Sequence, residues 1–133
     1  MVTEEEVIEA ARFALENGYG SMVLQSGERC DEKFVDTVSA LLRKIKDLSG
    51  GKLGITLSMG EQTEKTYREW FACGAHRYLI RIETSDRELY YKIHPNNKKH
   101  DFDIRINALK LLRGIGYNVG SGVMIGLPFQ TIV

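Results

Sequence analysis

The chain has 133 residues, enough for one domain with a real core or for part of a larger one. Its 18 basic and 18 acidic residues cancel, which argues against nucleic acid or another polyanion as the main partner of the surface. The longest apolar runs are strand-sized, so neither a membrane span nor a signal peptide is read here, and the cytoplasm is the default expectation.

In chain order, Thr3 to Glu6 has the spacing of a capping box, and Ile8, Ala11 and Leu15 follow at helical intervals, predicting a helix to about Asn17. Gly18 and Gly20 stop it. The run Met22 to Ser26 reads as a strand that ends in Gly27 and Glu28, and Asp31 caps a long helix with Phe34, Val38, Leu41, Ile45 and Leu48 on one face, widened by Val35 and Leu42. Ser49 to Gly51 closes that helix. Leu53 to Ser58 is a second strand, leading through Gly60 and Glu61 to a helix over Thr63 to Cys73 that buries Tyr67, Trp70 and Phe71.

The third strand, Arg77 to Ile82, alternates. Tyr78, Ile80 and Ile82 point to the covering helices, which leaves Arg77, Leu79, Arg81 and Glu83 on the other face. Two arginines are costly under a helix layer and expected in a solvated barrel mouth, so the alternation favours a barrel lumen over a doubly wound sheet. A short helix over Asp86 to His94 closes at Pro95, and Asn96 to His100 reads as a polar loop with Lys98 and Lys99 solvated. A helix from about Asp101 turns Ile106, Leu109 and Leu112 inward. The fourth strand is expected over Asn118 to Ile125, with glycine on alternate positions of one face so that a flat group or another backbone can approach.

Strands alternating with helices of this length imply a parallel sheet with right-handed crossovers, an α/β fold. The expectation is a partial TIM-type (βα) barrel: about four parallel strands in sequential order, forming one domain over residues 1–133. The chain opens on a helix with no strand before it and closes after a strand with no helix behind it, the pattern of a slice from the middle of a larger barrel. A complete doubly wound module of flavodoxin-like or receiver-like type is the alternative, and strand order separates the two. Sites in both architectures sit at the strands' carboxyl ends. Taken alone, Glu28 and Glu61 read as helix-start carboxylates favoured by the dipole. His76, His94 and His100 lie at a turn, a helix end and a loop, and no chemistry is assigned to them. Cys30 and Cys73 lack metal-ligand spacing and read as reduced thiols.

Five strings carry a resemblance: MVLQSGE at Met22 to Glu28, ITLSMGE at Ile55 to Glu61, RYLIRIETS at Arg77 to Ser85, DFDIRINALKLL at Asp101 to Leu112 and GSGVMIGLPFQT at Gly120 to Thr131. Together they resemble the radical S-adenosylmethionine enzymes, within them the FeFe-hydrogenase maturases of the biotin synthase-like group. Methylornithine synthase and biotin synthase are further alternatives in the same superfamily.

The resemblance implies S-adenosylmethionine lying across the strand ends, bound to a 4Fe-4S cluster that cleaves it. It assigns Gln25, Ser26, Gly27 and Glu28 to the methionine amino group, Glu83 to the ribose hydroxyls and Arg105 to the methionine carboxylate. Met124, Ile125 and Gly126 match the segment that holds adenine, although Met124 could equally belong to the core; a structural pair with Arg81 is the lesser alternative for Glu83. Glu28 is thereby read as a ligand contact, whereas Glu61 stays a helix-start carboxylate. Thr56, Ser58, Arg77 and Arg81 point, by strand parity, to the lumen where this family places a small-molecule substrate or anions.

The family's CxxxCxxC loop would precede Thr3, and the two cysteines present cannot replace it, so this segment alone is expected to be inactive. Unpaired sheet edges and an exposed lumen face are expected to favour association with a second copy.

Overall fold

In a computed structural model the chain is described over residues 2–95, 97 and 100–131. The element order is α1 (Glu4–Glu16), β1 (Ser21–Gln25), α2 (Glu32–Ser49), β2 (Gly54–Ser58), α3 (Glu64–Ala72), β3 (Arg77–Leu79), α4 (Arg87–Ile93), α5 (Phe102–Ile115) and β4 (Asn118–Gly120). Asn96, Lys98 and Lys99 lie outside the described residues, and with them the reading of the lysine pair.

Among the described residues, side-chain oxygens start each of the five helices. Thr3 accepts from the Glu6 N–H while the Glu6 carboxylate accepts from the Thr3 N–H, a complete capping box. At α2, α3, α4 and α5 the side chains of Asp31, Thr63, Asp86 and Asp101 accept from backbone N–H groups of the first turn. Gly50 and Gly116 end α2 and α5 in the left-handed region, where a side chain would be strained.

The four strands form one parallel sheet in the order β1-β2-β3-β4. Sequential order is that of a barrel wall and sets aside the doubly wound alternative, whose first strand would lie inside the sheet. Strand parity decides the two faces. Leu24, Ile55, Leu57, Tyr78 and Ile80 are buried under the helices, whereas Val23, Gln25, Arg77 and Arg81 are exposed on the other face.

The core lies between sheet and helices and centres on Trp70, Tyr67 and Tyr78, each 0% exposed. Tyr67 and Tyr78 meet edge-on at 5.2 Å between ring centres, and the Trp70 indole N–H donates to the Val35 carbonyl at 3.3 Å. On α2 the buried stripe is Val35, Val38, Leu42 and Ile45, with Leu48 38% exposed, so the expected face is rotated by about one position.

Two strands are shorter than the sequence suggests. β3 stops at Leu79 rather than Ile82, and β4 at Gly120 rather than Ile125. The Ile80 N–H still donates to the Gly120 carbonyl at 3.1 Å, and pairing then lapses until an isolated bridge between Glu83 and Val123. Apolar alternation continues through the lapse, which is why composition could not reveal it.

Candidate functional site

The site begins with register. Gln25 pairs with Ser58 at the end of β1 and β2, and the Ser26 N–H donates to the Ser58 carbonyl at 3.2 Å. The loops that leave these two strand ends carry Glu28 and Glu61, two carboxylates whose charges favour a cation between them.

Arg105, in the second turn of α5, is that cation. Its Nε donates to Glu61 Oε1 at 2.5 Å and its Nη2 to Glu61 Oε2 at 3.2 Å, a two-pronged fork. Nη2 also donates to Glu28 Oε1 at 3.1 Å, and Nη1 to the Arg81 carbonyl at 3.1 Å. The arginine is thus tied to the ends of β1, β2 and β3 together. A cation this near a helix start is disfavoured by the dipole, so the carboxylates rather than the helix hold it there. Burial works against the charge of Arg105, but the hydrogen bond and field of Glu61, with Glu28 behind them, prevail and hold the guanidinium protonated above its ordinary range. The Tyr90 ring, buried on α4, lies 6.0 Å from the guanidinium carbon.

Gly60 makes the arrangement possible. Its φ is +67°, and a Cβ there would stand 2.6 Å from Glu28 Cγ. Behind it, the Tyr78 hydroxyl donates to the Gly60 carbonyl at 3.0 Å and the Gln62 N–H donates to the Tyr67 hydroxyl at 2.9 Å. Burial pushes the Tyr67 phenol up to about 12 and Tyr78 further still, so both stay protonated. The Gln62 side-chain amide donates to the Met59 and Arg29 carbonyls, stitching the β2–α3 loop to the β1–α2 loop.

Glu83 stands on the far side. Its backbone is left-handed at φ +61°, an uncommon state for a side-chain-bearing residue, and it is held by its N–H on the Gly122 carbonyl at 3.0 Å and its carbonyl on the Met124 N–H at 2.8 Å. Glu83 Oε1 faces Arg81 Nε at 3.8 Å, whereas Oε2 is buried with no hydrogen-bond partner among the described residues. A cleft of about 150 Å³ at the strands' carboxyl ends is lined by Ser26, Glu28, Ser58, Gly60, Leu79, Ile80, Arg81, Glu83 and Arg105.

The sequence-predicted residues divide accordingly. Ser26, Glu28, Ser58, Arg81, Glu83 and Arg105 meet at the cleft. Gln25 and Gly27 sit exposed at its β1 rim, and Thr56 lies deeper on the lumen face of β2. Met124, Ile125 and Gly126 follow the Glu83 bridge and are exposed, Ile125 at 93%. Arg77 occupies the lumen face but at the opposite end of β3, where it lines a separate cleft with Lys46, Lys52 and His76, so the structure does not bring it to the others. The Arg81–Glu83 approach is long and Arg81 is 60% exposed, so the structural-pair alternative for Glu83 accounts for only one of its oxygens.

Glu61 is the residue that sequence reasoning passed over. The signal was the repeat of Gly-Glu at the ends of neighbouring strands, since equal spacing from paired strands predicts adjacency.

Among known proteins, the chain is 40% identical over 132 residues to the FeFe hydrogenase maturase subunit HydE of Thermotoga maritima, covering 98% of this chain and 36% of that protein. It is 32% identical over 126 residues to the biotin synthase of Magnetococcus marinus, covering 94% of this chain and 37% of that one. The chain therefore spans little over a third of these relatives' length. Among solved structures, the maturase HydG of the FeFe-hydrogenase superposes with a TM-score of 0.79 at 26% identity, over 94% of this chain and 29% of that one. Methylornithine synthase, PylB, superposes with a TM-score of 0.78 at 28% identity, over 92% of this chain and 35% of its own. The family described as the radical SAM superfamily matches residues 1–132, and a barrel wall with its polar groups gathered at the strands' carboxyl ends is the fold on which it does so: the chain belongs to the radical SAM superfamily.

Proposed function

We propose that the cleft at the carboxyl ends of the strands binds S-adenosylmethionine, and that the whole protein is a radical enzyme of the FeFe-hydrogenase maturase type, acting in assembly of the hydrogenase di-iron centre. The observation that carries this reading is the buried, unpartnered Oε2 of Glu83 in the cleft that Arg105 and Glu28 also line. A buried carboxylate oxygen without a donor is costly, and a ribose hydroxyl supplies one. Across the same cleft, Arg105 is a guanidinium that can take a carboxylate in place of Glu28, and Glu28 an acceptor for an ammonium, the two charges of an amino-acid head. Exposed apolar residues beside the Glu83 bridge, Val123 and Met124, suit a flat base.

When bound, S-adenosylmethionine supplies a sulfonium whose one-electron reduction yields a carbon radical. The chain's own residues do the rest: Glu83 fixes the ribose, Arg105 and Glu28 fix the head, and the open lumen face with Ser58, Thr56 and Arg81 faces a small-molecule substrate. The residues present do not fit a 4Fe-4S cluster. Three converging thiolates are needed, whereas Cys30 is exposed in the β1–α2 loop and Cys73 is buried after α3, at the other end of the sheet. Cluster ligation is accordingly assigned to residues outside this segment, and the segment by itself to binding rather than turnover.

Biotin synthase or methylornithine synthase chemistry is the second reading, supported by 32% identity to a biotin synthase and by the superposition on PylB. Equilibrium titration of the full-length protein with S-adenosylmethionine tests the proposal. Saturable binding weakened about tenfold or more by Glu83→Gln, the loss of about 1.4 kcal/mol, is expected. Equal affinity in wild type and variant would count against the assignment.

A further inference from the structure

We propose that Glu61 is a positioning residue for this site, a permanent anchor that keeps Arg105 presented to the cleft, while Glu28 is an exchangeable partner that gives way to an incoming amino-acid head. The proposal rests on the reading of the cleft as an S-adenosylmethionine site, and it assigns distinct work to two carboxylates that pair with one guanidinium.

The two differ in every structural respect. Glu61 holds Arg105 through two hydrogen bonds on the Nε–Nη2 edge, and its side chain is 16% exposed. Glu28 makes one hydrogen bond, to Nη2, and is 40% exposed. The backbone around Glu61 is pinned on both sides by hydroxyls of fully buried tyrosines, Tyr78 on Gly60 and Tyr67 on Gln62. Glu28 rides on Gly27 and Arg29, both exposed. Only Glu28 lines the cleft.

Charge and geometry then define an exchange. Arg105 has five N–H groups, of which four are engaged, so a carboxylate can take a two-pronged hold only by displacing a partner. Giving up Glu28 breaks one half-exposed hydrogen bond, whereas giving up Glu61 breaks a fork that is largely shielded from solvent. A zwitterionic head replaces Glu28 on the arginine with its carboxylate and offers its ammonium to the freed Glu28, so every charge stays paired. Without Glu61, the guanidinium is free to turn both prongs onto Glu28, and the ligand must break that closed pair to enter.

The experiment compares two nucleosides in the full-length protein. S-adenosylhomocysteine carries the amino-acid head, and 5′-methylthioadenosine lacks it but keeps adenine, ribose and sulfur. Equilibrium binding of both is measured in wild type and in Glu61→Gln, which keeps shape and removes charge. The proposal expects S-adenosylhomocysteine to weaken about tenfold, or about 1.4 kcal/mol, with 5′-methylthioadenosine unchanged. Unchanged affinity for both, or an equal loss of both, overturns it while leaving the cleft assignment in place. Wild-type protein that binds neither nucleoside overturns the cleft assignment and this inference with it. Should Glu61→Gln not fold, Glu61→Asp, whose shorter side chain cannot reach both guanidinium nitrogens, carries the same comparison with the same outcomes.

Discussion

Replacing Arg105 by methionine removes the guanidinium and roughly keeps the volume. The side chain is 9% exposed and pairs with Glu61, itself 16% exposed, and with Glu28 at 40%. Breaking a buried ion pair on one side costs about 3–5 kcal/mol, because the partner charge stays behind without compensation. Glu28 can turn to water, and an exposed pair is worth only about 0–1 kcal/mol, so its share is small. Glu61 cannot turn as freely, since the backbone on both sides of it is held by Tyr78 and Tyr67. The expected loss is therefore at the lower end, about 3 kcal/mol, read as a shift in urea midpoint at constant slope. Adding Glu61→Gln removes the stranded charge, so the double variant should recover about 1–2 kcal/mol relative to Arg105→Met alone. A loss below about 1 kcal/mol would show that the three-residue network does not exist in solution.

Other outcomes follow from the same geometry. Gly60→Ala places a methyl 2.6 Å from Glu28 Cγ at φ +67°, so it should cost about 1–2 kcal/mol on thermal or urea unfolding and detach Glu28 from Arg105; a neutral result would contradict the close approach. Tyr67 titrates at about 12 in the fold and near the ordinary phenol value of 10.0 when unfolded, so its contribution is intact below that lower value and is lost as pH rises through the interval. Unfolding followed by tyrosinate absorbance should accordingly be cooperative in that alkaline window, and gradual ionisation of these phenols without loss of structure would be inconsistent with their burial.

Much of the architecture was legible because local signals agreed. Thr3 and Asp31 cap their helices as the sequence suggested, the helices read from Thr63, Asp86 and Asp101 begin one residue after them, and the parity of Arg77, Tyr78, Leu79, Ile80 and Arg81 named the lumen face correctly. The strand ends were not legible. The lapse of pairing after Ile80 and the left-handed Glu83 go with backbone hydrogen bonds to Gly122 and Met124, a contact between segments roughly forty residues apart that no periodicity encodes. Arg77 falls apart from the other predicted residues for a related reason: parity reports which face a side chain occupies and says nothing of which end of the strand it reaches. Glu61 was read as a dipole partner because a carboxylate beside a helix start needs no other explanation until the arginine that claims it, 44 residues later, is seen in place.

Where the nucleoside lies is the most direct test. A crystal structure of the full-length protein with S-adenosylmethionine bound should show the amino-acid head between Glu28 and Arg105, Glu61 still forked on the guanidinium, and a ribose hydroxyl on Glu83 Oε2. A nucleoside seated elsewhere, with Glu83 Oε2 still without a donor, would contradict it.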